Sequence, residues 1–119
     1  MEGVWQNANA NICPISTRTA KTDIHYLTVE EQDAVARNLQ SFKIARYRYK
    51  PGMGSPDEHL GFIIEDVGAS PAVMADGGHV DLYGYASMLA VSVQAQNREI
   101  RRLRNELRAL RAEMRRVRR

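Results

Sequence analysis

Apolar positions change their spacing three times along the chain, and each change marks an element. Residues 1–15 are polar and Asn-rich with no period, and read as a linker or the end of another unit. LTVEEQDAVARNLQ, from Leu27 to Gln40, reads as a helix. Thr28 and Glu31 carry the T-x-x-E spacing of a capping box, in which each side chain satisfies a free backbone N–H of the first turn. SFKIARYRYK, rich in β-branched and aromatic residues, predicts a strand that PGMGSPDE closes with its two prolines and two glycines. HLGFIIEDV predicts a second strand running into a turn or short helix, and Asp76–Gly78 makes another turn.

From Leu82 onward the period is that of a coiled coil. There is no proline, and the only glycine, Gly84, sits in the first turn. With Ile100 at position a of the heptad, the a positions are Ala86, Val93, Ile100, Leu107 and Met114. The d positions are Leu82, Leu89, Gln96, Leu103, Leu110 and Val117, so ten of eleven seam positions are apolar over five heptads. Glu99, Glu106 and Glu113 fall at g, and Arg104, Arg111 and Arg118 at the e position five residues later. In a parallel assembly g faces the following e of its neighbour, and all three pairs are opposite in sign. A parallel homo-oligomer is expected. The alternative, one long helix lying on its own body, leaves too little apolar surface in the body to cover five heptads. Chain number stays open from the heptads: Val and Ile at a with Leu at d lean to two strands, while Leu107 and Met114 dilute that preference. Gln96 is able to fix register in either state.

Composition narrows the class. At 119 residues the chain has room for one small domain. Its longest apolar run, LGFII from Leu60, is far short of the roughly 20 residues of a membrane span, so no membrane partner is expected. The opening MEGVWQNANA lacks the basic and apolar regions of a secretory signal. A lone Cys13 excludes an internal disulfide and a multi-cysteine metal site, and suits a reducing compartment. His25, His59 and His79 are scattered without H-x-x-x-H spacing, so structural roles are expected for them, with no metal and no cofactor. Tyr47, Tyr49, Tyr83 and Tyr85 read as core or interface, and Asp23 as a turn residue.

Charge divides the chain. Residues 1–97 balance at −4, whereas residues 98–119 carry ten Arg against three Glu, a balance of +7. Arg98, Arg101, Arg102, Arg108, Arg115, Arg116 and Arg119 fall at b, c and f, making the outer face of the coil basic. A nucleic-acid reading follows from charge alone. In basic-zipper proteins, however, the basic region precedes the zipper. Here it is interleaved with the seam, as on an ordinary solvated face, and no nucleic-acid partner is expected.

The chemistry rests on ICPISTRTAKTDI, residues 12–24, where Ser16 stands five places before Lys21. A serine hydroxyl needs a base to take its proton, and a lysine serves only when its pKa is lowered by burial. Ser–Lys is an established variant of the triad. In a helix the two side chains would point about 140° apart, and in a strand to opposite faces. They meet only through a turn or across an oligomer interface.

Four motifs in order resemble the C-terminal intramolecular chaperone domain of phage endosialidases, tail spikes and tail fibres, to which the self-cleaving domain of myelin regulatory factor is related. The family pattern S-D-x-R-x-K-x-[ND]-I aligns with STRTAKTDI, Ser16–Ile24. A helix and a strand ending in an aromatic-basic stretch, FKIARYRYK, come next. G-F-I-A-Q-E-V aligns with GFIIEDV, Gly61–Val67, and V-D-Y with a following helix aligns with VDLYGYASMLAVSVQAQNREIRRL. Thr17 and Thr19 replace the Asp and Arg of the first motif, and Glu65 and Asp66 the Gln and Glu of the second.

The resemblance implies a homotrimer that assists folding and assembly of an upstream fibrous protein of the same precursor, then cuts itself off. Ser16 would be the nucleophile, Lys21 the general base, and Ile15–Ser16 the scissile bond. His59, Glu65 and Asp66 would be supporting residues. The expected fold is α+β: a small mixed body over residues 16–81, then a coiled-coil trimerisation helix over 82–119, with 1–15 staying on the delivered protein. The expected setting is the cytoplasm of the producing cell, with a virion-associated or exported product. A non-cleaving coiled-coil oligomerisation module of the same fold is the alternative, and a basic coiled-coil nucleic-acid binder the third.

Overall fold

A computed structural model describes residues 15–119; Cys13 and the segment read as linker, apart from Ile15, lie outside the described residues. The order is a single 3-10 turn at Arg18–Ala20, helix α1 at Val29–Gln40, strands β1 at Ile44–Tyr47 and β2 at His59–Phe62, a one-turn helix α2 at Ile64–Val67, and helix α3 at Leu82–Val117. A small sheet-and-helix body thus carries a 36-residue helix, about 54 Å long at 1.5 Å per residue.

The capping box forms as its spacing predicts. Thr28 Oγ1 accepts from the Glu31 N–H at 3.2 Å, and Glu31 Oε1 accepts from the Thr28 N–H at 3.0 Å. His25 Nε2 lies 2.9 Å from the same carboxylate oxygen. The Thr28 N–H first, then His25 and the Thr28 hydroxyl, hold the Glu31 carboxyl down at about 2.

The predicted first strand is shorter than its β-rich sequence. Ser41 is spent on capping α1, its Oγ donating to Asn38 O at 2.6 Å, so that pairing begins at Ile44. β1 and β2 run antiparallel with Ile44 opposite Phe62 and Tyr47 opposite His59.

The core sits where the hairpin, α2 and the following loop meet the start of α3. Phe62, Ala72 and Met88 are buried, with Val35, Leu39, Phe42, Val80 and Tyr85 packed around them. Phe42, Phe62 and Tyr85 form a ring cluster with centroids 4.9–6.1 Å apart. Burying Phe62 or Met88 stabilises by roughly 1.5–3 kcal/mol each. Among the described residues only four hydrophobics are buried, the fourth being Ala36. That is a thin core.

α1 and α3 pack antiparallel. Ser70 Oγ bridges Asn38 Oδ1 and the Met88 sulfur at one end. At the other, the Arg98 guanidinium donates to Gln32 Oε1 at 2.6 Å and Asp33 Oδ1 at 3.1 Å.

Two faces of α3 have different fates. Gly84, Tyr85, Met88, Val91, Ser92, Ala95 and Arg98, at heptad positions c, f and g, are buried or half-buried against the body. The large apolar a and d residues, from Leu82 through Leu89, Val93, Ile100, Leu103, Leu107, Leu110 and Met114 to Val117, are 45–78% exposed. Gln96 is exposed with them, and beyond Arg98 every residue of the helix is exposed. The body therefore covers the side away from the seam and leaves the seam open.

The start of α3 is fixed from two directions. Asp81 Oδ1 accepts from the Gly84 N–H at 2.8 Å, and the Asp81 N–H donates to Ala72 O at 2.8 Å. A Cβ on Gly84 would sit 1.9 Å from the Pro71 carbonyl oxygen, so only glycine lets the helix approach this loop. No helix among the described residues is long and apolar enough to cross a membrane.

Candidate active site

Ser16 and Lys21 are joined by the 3-10 turn. Thr17, extended at φ −72° and ψ 147°, leads into it. Its carbonyl accepts from Ala20 N–H at 3.1 Å, and Arg18 O accepts from Lys21 N–H at 3.1 Å. One tight turn, three residues round, reverses the chain where a continuous helix or strand would separate the two side chains. Lys21 resumes extended backbone at φ −120° and ψ 151°. Its Nζ then lies 2.7 Å from Ser16 Oγ, donating to it.

The flanks hold this turn. Arg18 Nη2 donates to the Tyr26 hydroxyl at 2.9 Å, tying the turn to the segment before α1. Asp23 bends the chain just beyond Lys21 with φ at +53°, a left-handed conformation that Asn and Asp accept more readily than other side chains. That is a backbone reason for the Asn-or-Asp position in the aligned pattern. Thr17 and Thr19 stand where the pattern has opposite charges, and their hydroxyls lie 3.4 Å apart. A neutral contact thus links the two positions.

A third group reaches the dyad from the far end of the domain. The Tyr83 hydroxyl, in the first turn of α3, lies 3.2 Å from Ser16 Oγ. A serine oxygen has one hydrogen and two lone pairs, and an ammonium donates only. With Lys21 donating, Ser16 gives its own hydrogen to Tyr83. With Lys21 neutral, Ser16 turns its hydrogen to Nζ and Tyr83 donates to Oγ. The Lys21–Ser16 and Ser16–Tyr83 contacts are each a hydrogen bond in both states.

Sequence reasoning grouped Tyr83 with Tyr85, and the heptad phase separates them. Tyr85, at g, joins the core. Tyr83, at e, stays 46% exposed beside the open seam. The phase was the signal that distinguishes these two rings.

The other candidates sit elsewhere. His59 Nε2 lies 3.3 Å from Ser55 O, and its ring packs on Tyr47 and Tyr49 with centroids 5.6 and 5.0 Å away. Glu65 and Asp66 are exposed in the first turn of α2. Among the described residues, the side-chain hydrogen bonds of Ser16 are to Lys21 and Tyr83, not to these three. Ile15, on the N-terminal side of the bond in question, is 68% exposed. Ser16 and Lys21 are exposed as well. No group of three His, Cys, Asp or Glu side chains suited to a metal occurs among the described residues.

Neither the curated proteins nor the solved structures contain a match to this chain. Residues 16–78, just over half of the 119, match the family described as chaperone of endosialidase. The match opens on Ser16 and takes in the turn, α1, the hairpin and α2; the chain belongs to that family.

Proposed function

We propose that the chain is an intramolecular chaperone that trimerises an upstream tail-fibre or tail-spike protein and then releases it by cutting Ile15–Ser16. The observation that carries the release step is the 2.7 Å approach of Lys21 Nζ to Ser16 Oγ across a turn built from local hydrogen bonds. The open seam of α3 supports the assembly step, since nine large apolar residues remain in water until other copies cover them. Assembly takes place in the cytoplasm of the producing cell, and residues 1–15 leave with the delivered protein.

The chemistry follows from the groups present. Neutral Lys21 takes the Ser16 hydroxyl proton as Oγ adds to the Ile15 carbonyl carbon. The tetrahedral species collapses with loss of the C–N bond, and Lys21 returns the proton to the departing Ser16 amine. The product is an ester of Ile15 on Oγ. Water then adds to that ester, the C–Oγ bond breaks, and Ile15 leaves as a carboxylate while Ser16 regains its hydroxyl.

Lysine works as a base only when its ammonium has been desolvated, and Lys21 is exposed in the single chain. Tyr83 stands at e, beside the seam, so chains that close on the seam also close over the dyad. Cutting therefore follows assembly. After the cut, the delivered trimer no longer shares a chain with the module that assembled it and is kinetically trapped.

A second reading, a trimerising module without cleavage, is favoured by one observation: Thr17 and Thr19 supply a neutral contact where the family pattern carries charge. Intact-mass measurement of the assembled wild type beside Ser16→Ala and Lys21→Ala separates the two. The proposal expects a wild-type fragment beginning at Ser16 and two uncut variants. Three full-length masses in a stable trimer would leave the chaperone and remove the peptidase.

A further inference from the structure

We infer that Tyr83 is the third member of the cleavage site, a hydroxyl that orients Ser16 Oγ and carries the charge that develops there as the ester is hydrolysed. The inference rests on the cleavage reading above and assigns a role to a residue outside the Ser–Lys pair. Its basis is the 3.2 Å contact between the Tyr83 hydroxyl and Oγ. Ser16 sits on an exposed N-terminal segment with one tight turn to hold it, and a serine side chain there has three staggered rotamers to choose from. Lys21, on the same turn, moves with Ser16. Tyr83 belongs to α3, whose start is locked by the Asp81 cap, by Asp81 N–H on Ala72 O, and by the close passage of Gly84 over Pro71. A flexible nucleophile is thereby referred to a fixed point.

The two chemical steps use the hydroxyl differently. In the first, the Ser16 proton goes to Lys21, and Tyr83 donating to Oγ leaves one lone pair to face the Ile15 carbonyl. In the second, Lys21 takes a proton from water as the water oxygen adds to the ester carbon, the electron pair of the C–Oγ bond moves onto Oγ as that bond breaks, and the same proton passes from Lys21 to Oγ to restore the hydroxyl. Tyr83 donates to the oxygen on which that charge appears, and a hydrogen bond to a charged oxygen is stronger than one to a neutral hydroxyl. Losing the Tyr83 hydroxyl therefore slows ester hydrolysis more than ester formation. The ester form has the mass of the uncut chain and is opened by hydroxylamine, which places a hydroxamate on Ile15.

The test compares the full chain with Tyr83→Phe, which keeps the ring, and with Ser16→Ala. Intact mass is followed over time with and without hydroxylamine, alongside light scattering and thermal midpoint. The expected result is cutting slowed by about tenfold or more in Tyr83→Phe, with trimer and midpoint unchanged. A larger share of its product should appear only with hydroxylamine, and none should appear in Ser16→Ala. A wild type that cuts while Tyr83→Phe cuts as fast, with no gain in hydroxamate, overturns the role of Tyr83 and leaves the dyad. A wild type that stays whole even with hydroxylamine overturns the dyad and Tyr83 together. Slower cutting in step with lost trimer overturns the role as well, because the ring would then be serving the fold.

Discussion

Asp23 holds a left-handed backbone at φ +53° immediately after the Ser16–Lys21 turn. Glycine or asparagine at this position should be tolerated. Asp23→Val should cost about 1–2 kcal/mol, the penalty of a left-handed conformation, and should slow cleavage by loosening the turn; thermal unfolding and intact mass read the two effects. Glu31 gives a pH signature. Its carboxyl falls from the usual 4.5 to about 2, chiefly through the Thr28 N–H. A depressed carboxylate stabilises the fold fully above its unfolded value and loses that contribution as pH falls through the folded one. Helix α1 should therefore weaken between about pH 4.5 and 2, and Glu31→Gln should flatten that part of the acid titration followed by circular dichroism. Ser16 and Lys21 were both legible in the sequence as residue types at a spacing. Their meeting was not, because it depends on three residues adopting a 3-10 turn in place of a helix or strand.

Among the elements, α1 and α3 were read most easily, the first from its capping box and the second from a period sustained for five heptads. β1 starts late because Ser41 and Phe42 still bond back to the end of α1, a local contact that β-propensity does not weigh. The most constrained joint is the start of α3. Gly84 was visible as the only glycine after Leu82, but its reason is Pro71, thirteen residues away in a loop with no period of its own. Gly84→Ala places a methyl group 1.9 Å from the Pro71 oxygen, and the overlap should destabilise by about 1–3 kcal/mol. The same displacement moves Tyr83, so cutting should slow by more than the loss of folded chain accounts for. Unfolding curves and cleavage rates on one preparation compare the two. At the far end of the α1–α3 contact, Arg98 spans Gln32 and Asp33. Arg102 instead holds Glu99 and Glu106 on its own helix; in the proposed parallel assembly both would be shared with Arg104 and Arg111 of neighbouring chains.

For the molecule as a whole, the thin core and the open seam belong together. Among the described residues four buried hydrophobics support the body, while each ordered residue costs about 1–2 kcal/mol of backbone entropy. In the proposed assembly much of the stability of this fold comes from association, and it should rise with protein concentration. Leu103→Asp puts a charge in the seam, far from the body contacts, and should break the assembly and lower the thermal midpoint without touching the dyad. Membership of the endosialidase-chaperone family was legible from motifs in order; those of the turn, the hairpin and α2 fall within the matched residues 16–78, and the one at the start of α3 lies beyond them. The contact behind the proposed link from assembly to chemistry was not legible, because Ser16 and Tyr83 meet across 67 positions. The rate of cutting against oligomeric state tests that link. Intact mass and light scattering should be recorded together on the full chain over a dilution series and on Leu103→Asp. On that link, a fragment beginning at Ser16 should form only in samples containing trimer, and none should form from monomeric Leu103→Asp. Equal cutting by monomer and trimer would contradict it.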